Sequence, residues 1–321
     1  MNWFMEFPSW LAPFEPLVPL KSLVEEINTI YHSFDAKNYD AEHLEIRQLW
    51  PGLWAEMIQQ LPQRNSWRVL DFGCGTGFEA EQLLHHQGSS IHFLMAYDPS
   101  REMLARCQGR LGNDPRVNFS DDLVRARAGG PYNLLITNSV LHHLADVEET
   151  IYGLQSLLSE DAYWLSGNEP STRFYKNALC VQLFQQYTAY YERTKWFRPS
   201  AYVGKLKSLL GVNSLSATAR LAHKRRLFAA LPSDTVIARL VDFHVRHLID
   251  ADSERGFDLS VMESVFKQHW LLRWSKTYSY LGAFGELSAR RTWLNKAHLL
   301  QEKFPADGAN FCAVWSRPVS N

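Results

Sequence analysis

Cysteine is scarce in this 321-residue sequence: four residues, none in a CxxC pair. Cys74, Cys107, Cys180 and Cys312 are widely spaced, and no His/Cys cluster stands at metal-ligand spacing. No metal is therefore expected, and the thiols read as reduced structural residues of a cytoplasmic protein. Net charge is also missing, at −1 from 33 Lys and Arg against 34 Asp and Glu. No whole-chain field draws nucleic acid or a membrane. There is no internal repeat and no low-complexity tract. The opening "MNWFMEFPSWLAPFEPLVPL" is apolar, but it lacks a basic n-region and carries Glu6 and Glu15. Pro8, Pro13, Pro16 and Pro19 break any spanning helix, so an extended segment over the body is expected.

What is present is ordinary globular material, 46% hydrophobic and 21% charged. Aromatic residues make up 13%, which suits burial or a pocket for a planar or cationic ligand. Residues 23–63 have a helical pattern, broken near Pro51. From Trp67 the texture changes. "WRVLDF", "IHFLMAYD", "RVNFS", "YNLLITNSV" and "AYWLSGNE" read as strands. "FEAEQLLHH", "REMLARCQGRL" and "VEETIYGLQSLL" read as the helices between them. That alternation predicts parallel βαβ units with both sheet faces covered. It stops at Pro170 and resumes near residue 255 with helix "FDLSVMESVFKQHW", strand "LLRWSKTYSYLG", helix "RTWLNKAHLLQEKF" and strand "NFCAVWSR". An interruption of about 85 residues is too long for a structureless loop, so a helical insertion acting as a lid is expected.

The stretch "VLDFGCGTGFEA" closes the first strand. Gly73, Gly75 and Gly77 let the backbone turn sharply and approach a ligand closely. The dinucleotide fingerprint needs a further glycine where this chain has Phe78, and no GK[ST] follows, so a P-loop is excluded. Asp98 ends the second strand, 21 residues after Gly77, where a carboxylate can take both hydroxyls of a ribose.

"VLDFGCGTG" resembles motif I of the class I S-adenosylmethionine (SAM)-dependent methyltransferases. The resemblance covers about 200 residues, 30–169 and 257–317. It implies a Rossmann-like α/β fold: a seven-stranded, mostly parallel sheet with an N-terminal helical cap and a large helical insertion. The corresponding division is a cap at 1–66, a SAM-binding core at 67–169, a lid at 170–254 and the rest of the core at 255–321. Asp71, Gly73, Gly75 and Gly77 would then seat the amino-acid end of SAM, and Asp98 its ribose. Pro99 and Met103 would sandwich the adenine, and Asp121 or Asp122 would meet its amino group. "SVLHHL" resembles motif IV of the small-molecule branch, placing Asn138 beside the cofactor. "YHSFDAKNYD" resembles the segment that folds over SAM, with Tyr39 as its contact. The product would be S-adenosylhomocysteine.

Methyl transfer from a sulfonium needs mainly position and orientation. A base is needed only when the acceptor must lose a proton. Residues His142, His143 and Glu169 are the candidates, although the histidines alternatively only shape the turn. "GNEPSTRFYKN" offers Asn168, Arg173 and Tyr175 to an acceptor, or alternatively a helix N-cap at Ser171 or Thr172. Between Ser171 and Asp250 there are 13 Lys and Arg against 4 Asp and Glu, with nine aromatics from Phe174 to Tyr202. A basic, aromatic lid favours an acidic or planar acceptor; the competing reading is a solvated basic face over an aromatic core. The expected function is methylation of an O or N atom of a small acidic or aromatic molecule, with no membrane partner. Alternatives are an RNA or protein methyltransferase, or a SAM-fold protein with lyase or cyclase chemistry. Against RNA, strand four ends "TNSV" rather than [DNS]-P-P-[YFW].

Overall fold

In the computed structural model, residues 7–194, 213–244, 256–282 and 285–318 are described. Seven strands form one sheet: β1 (Trp67–Phe72), β2 (Ile91–Tyr97), β3 (Val117–Ser120), β4 (Tyr132–Asn138), β5 (Leu158–Pro170), β6 (Leu271–Tyr278) and β7 (Asn310–Ser316). Their order is β3-β2-β1-β4-β5-β7-β6. All pairs from β3 to β5 are parallel, and β7 runs antiparallel between β5 and β6. This is the Rossmann-like class I methyltransferase arrangement that the motif I resemblance implies, with the parallel units expected from the strand–helix alternation.

Alternate residues of each central strand face opposite sides. On β1, Val69 joins a core with Trp54, Met57, Leu94 and Val314, whereas Leu70 joins one with Leu135, Trp164 and Trp315. Each face is closed by helices because a parallel sheet has no solvated side. Among the described residues, four α-helices precede the sheet: α1 (Leu20–Asp35), α2 (Tyr39–Glu42), α3 (Glu45–Gln48) and α4 (Trp50–Gln59). Pro51, expected as a break, sits in the first turn of α4, where a missing N–H costs nothing. The crossovers carry α5 (Phe78–Gln87), α6 (Arg101–Leu111), α7 (Leu123–Ala128) and α8 (Val147–Gln155). Capping side chains fix three of these starts: Ser100 accepts from the Met103 amide, Asp122 from Val124 and Asp146 from Glu149.

After β5 come α9 (Thr172–Lys176), α10 (Ala178–Thr194), α11 (Ser214–Lys224) and α12 (Asp234–Val241), then α13 (Leu259–Phe266) and α14 (Arg291–Lys303). The insertion is helical, as expected, but its described parts do two separate jobs. Helix α10 brings Tyr187 and Tyr190 against Trp293 of α14, with Tyr191 beside Tyr187. Helices α11 and α12 pack Ala219, Ala222, Ile237 and Leu240 against Leu23, Val24 and Ile27 of α1. The N-terminal segment lies along this second unit, with the Leu17 amide donating to the Leu227 carbonyl. Of the insertion's aromatics, Trp196, Phe197 and Tyr202 lie outside the described residues.

Gly77 shows what the third glycine of the loop is for. Its φ is +86°, and a Cβ there would stand 2.7 Å from Cys107 Sγ and 3.3 Å from Cys107 Cα. The residue lets α6 close against the start of α5. Gly77→Ala is expected to lower stability by about 1–3 kcal/mol through positive φ and overpacking, measured as a lower urea midpoint at unchanged slope.

Candidate functional site

The strand order reverses at β1, whose neighbours are β2 and β4. Open α/β sheets bind ligands beyond the strand ends at that point. A cavity of about 640 Å³ lies there. Its floor is Phe72–Thr76 after β1, Tyr97–Ser100 after β2 and Asn138–Val140 after β4. Met103, Leu123 and Arg127 close one side, and Tyr39, Ile46 and Trp50 another. The roof is α1. Lys21, Glu25, Asn28, Thr29 and His32 face the cavity, while Leu20, Leu23, Val24, Ile27 and Ile30 are buried behind. The roof residues recur at spacings of three and four, one stripe of a helix. That polar stripe is readable in the sequence as Lys21, Glu25, Asn28, Thr29 and His32.

No described residue of 171–244 lines this cavity. Among the described residues, α1 covers the site, and the described insertion helices hold α1 down. Asn28 is the fastener. Its Nδ2 donates to the carbonyls of Val24, His143 and Leu240, so α1, the turn after β4 and α12 meet at one side chain. Across the mouth, Lys21 pairs with Glu149 at 2.8 Å, an exposed contact of small energetic weight.

Among the expected cofactor residues, Asp98 is 8% exposed and lines the cavity. Its Oδ2 accepts from the Gly75 amide at 2.9 Å and Oδ1 from the Ser100 amide at 2.8 Å. Each oxygen keeps a lone pair for a hydroxyl. Burial pushes its pKa up to about 6 against the pull of those two amides. Gly73 (φ +78°) is forced by contact, since a Cβ would stand 2.5 Å from Val140 Cγ2. Pro99, Met103, Tyr39, Gly75 and Asn138 all line the cavity; Asp71 and Gly77 lie outside the lining.

Asp71 and Glu79 form a buried acidic pair below the glycine loop. Asp71 Oδ2 has no hydrogen-bond partner among the described residues, and burial with the nearby Glu79 carboxylate holds its pKa well above the usual range. Glu79, which lines the cavity and was not anticipated, accepts from Asn138 Nδ2 at 2.6 Å; burial lifts it to about 8. Asp40 ties the segment carrying Tyr39 to the loop, accepting from Thr76 Oγ1 at 2.6 Å and from Arg110.

Asp121 and Asp122 stand elsewhere. Asp121 pairs with Arg101 at 2.5 Å, and Asp122 caps α7; neither lines the cavity. The adjacent Leu123 does.

Glu169 is fully buried. Oε1 accepts from the Val140 and Leu141 amides, both at 2.9 Å, and Oε2 from the His142 amide at 3.2 Å and ring Nδ1 at 2.8 Å. It shapes the turn after β4 and does not line the cavity. Burial opposes a charge on His142, but Glu169 outweighs it and raises the pKa. Of the candidate bases only His143 lines the cavity. Its Nδ1 lies 2.7 Å from the Val241 carbonyl oxygen, which can only accept, so Nδ1 carries the proton and Nε2 the lone pair. Burial and the neighbouring His142 and His32 hold His143 well below its usual pKa; burial brings His32 to about 4.

Asn168, Arg173 and Tyr175 do not line the cavity. Asn168 (φ +53°) bonds Ser139 (φ +55°), Tyr278 and Asn310. Two non-glycine residues in the left-handed region, at the ends of adjacent strands, are strain kept at a site. Ser139 also lines the cavity and was not anticipated. Arg173 pairs with Asp307 at 3.1 Å, and Tyr175 packs beside Phe174.

The sheet order and its flanking helices are those of the Rossmann-like class I methyltransferase fold. Residues 70–163 match the family model described as a methyltransferase domain. A malonyl-[acyl-carrier protein] O-methyltransferase of Magnetococcus marinus is 34% identical over 126 residues, 38% of this chain and 45% of that protein. A protein of that name from Bacillus cereus is 28% identical over 131 residues, 40% of this chain and 48% of that one. The chain thus spans about half the length of the curated relatives it matches. Among solved structures, the N-methyltransferase NodS of Bradyrhizobium japonicum with S-adenosylhomocysteine is 11% identical, with a TM-score of 0.48 over 91% of this chain and all of that one.

Proposed function

We propose that the protein is a SAM-dependent methyltransferase acting on an O or N atom of a small molecule held between the glycine loop and α1. The carrying observation is Asp98: a buried carboxylate at the end of β2, facing a cavity, with one lone pair left on each oxygen. Those lone pairs fit a ribose diol. The positive-φ loop at Gly73 and Gly75, and the apolar Met103 and Leu123, fit the remainder of a nucleoside and amino-acid ligand. About 640 Å³ lies within the range of small-ligand pockets and leaves room for an acceptor. When bound, SAM supplies an activated methyl group.

The chain's own residues then position the acceptor and exclude water. Neutral His143 presents Nε2 to an acceptor hydroxyl or amine and takes its hydrogen bond or proton. The names of the relatives above favour a carboxylate acceptor, which needs no base. Mixed charge at the roof, with Lys21 among Glu25, Glu26 and Glu149, leaves amine and hydroxyl acceptors equally in range. Incubation with methyl-labelled SAM and a panel of small carboxylic acids, phenols, amines and a malonyl-carrier thioester is expected to yield one labelled small product. Label appearing only in RNA or protein, or converted substrate with no label transferred, would overturn this function.

Asp98 also sets a pH dependence. Its pKa is raised from 3.8 to about 6, so its contribution to stability is fully present below about pH 4 and is lost as pH rises through 6. Cofactor affinity runs the other way, because the ionised form accepts from two hydroxyls. SAM affinity is expected to fall below pH 6 by up to about tenfold per unit, read by calorimetry between pH 5 and 8. A flat profile would remove Asp98 from the ribose site.

A further inference from the structure

We propose that His142, His143 and Asp242 form a binding site for a divalent transition metal at the wall of the cavity. One ligand atom from each lies within 4.8 Å of the other two. The two imidazoles are neighbours in the chain, with ring centroids 4.0 Å apart. Asp242 comes from the far end of the insertion, at the C-terminus of α12. Sequence spacing therefore hides the cluster.

The surroundings of the two rings are those of metal-bound histidines. In each ring Nδ1 is already engaged, on the Glu169 carboxylate at 2.8 Å for His142 and on the Val241 carbonyl at 2.7 Å for His143. A carboxylate or carbonyl on one ring nitrogen fixes the tautomer and orients the other nitrogen toward a metal. That leaves Nε2 of each ring for coordination. The Glu169 carboxylate is itself held by three backbone amides, so the support is rigid. The backbone locks the insertion's end to the same turn: the His244 amide donates to the His142 carbonyl at 3.1 Å, and His244 Nε2 lies 2.8 Å from the Leu144 carbonyl.

Two imidazoles and one carboxylate suit Zn²⁺, Fe²⁺ or Co²⁺ rather than Mg²⁺ or Ca²⁺. Three protein ligands with an open position are the pattern of reactive rather than purely structural sites. His143 lines the cavity, so the site adjoins the space assigned to the acceptor. With a cation bound, the metal would take the Nε2 lone pair, and an acceptor oxygen would be held by the metal instead of by imidazole. The competing occupant is a proton on His142, shared between Glu169 and Asp242.

Metal uptake is independent of SAM and is tested without it. Chelator-stripped full-length protein is titrated with Co²⁺, followed by its visible absorption, and with Zn²⁺ against a chromophoric chelator. One equivalent per chain is expected. His143→Ala and Asp242→Asn should each weaken Zn²⁺ by at least about tenfold, with melting curves confirming that both variants fold. His85→Ala/His86→Ala, which removes the adjacent histidine pair on α5, should leave that equivalent unchanged. Absence of uptake, or uptake that follows the His85/His86 variant and ignores Asp242→Asn, would overturn the site.

Discussion

Glu169→Ala is expected to destabilise the protein by about 3–5 kcal/mol, the cost of leaving buried charged and polar partners unmet. The carboxylate is fully buried and accepts from three consecutive backbone amides and the His142 ring. Alanine removes all four contacts at once, and water has no ready access to replace them. Activity should fall further than stability accounts for, because the turn carries Ser139, Val140 and His143 into the cavity. Glu169→Gln separates the effects. One amide oxygen still accepts, so stability should recover in part. The charge on which His142 depends is gone, so the raised His142 pKa should drop, visible by NMR titration of the ring. If Glu169→Ala melts like the parent, the carboxylate does not hold the turn.

The second large effect belongs to Asp98. Asp98→Ala should weaken binding of SAM and S-adenosylhomocysteine by about 1–3 kcal/mol, roughly 5- to 150-fold, as for loss of charged hydrogen bonds. Its oxygens also hold the Gly75 and Ser100 amides, so some of the loss would come from a relaxed loop. Asp98→Asn retains one carbonyl acceptor and lacks the charge; it should bind more weakly than the parent and better than the alanine variant. Unchanged affinity in both variants would place the nucleoside elsewhere.

Much of this was legible in the sequence because it depends on local pattern. Short apolar runs alternating with helical segments read as the seven strands, and the glycine loop with Asp98 marked the ligand end of the sheet. The differences share a cause: sequence shows the end of a strand but not where its side chains turn. Glu169 was read as facing an acceptor. The pairing of β5 with β7 shifts register between Ser166 and Glu169, and Asn168 adopts a left-handed conformation there. That turns Glu169 inward, beneath the β4 turn. Asp121 and Asp122 were candidates for the adenine amine, but one is held by Arg101 and the other is spent as a helix cap. The insertion was read as a lid from its charge and aromatics. Its described aromatics from Phe174 to Tyr191 belong to the cluster with Trp293 of α14, and its other helices, with Phe228 and Phe243, brace the roof. Asp242 lies about 100 residues from His142 and His143, a proximity that only the closed fold creates.

Calorimetric titration with S-adenosylhomocysteine, combined with hydrogen exchange on the same sample, tests the central claim most directly. Saturable 1:1 binding is predicted, with protection in the peptides covering 20–35, 72–79 and 97–103 and little change in α10. Absence of binding, or binding that leaves α1 and the glycine loop unprotected, would contradict a cofactor cavity roofed by α1.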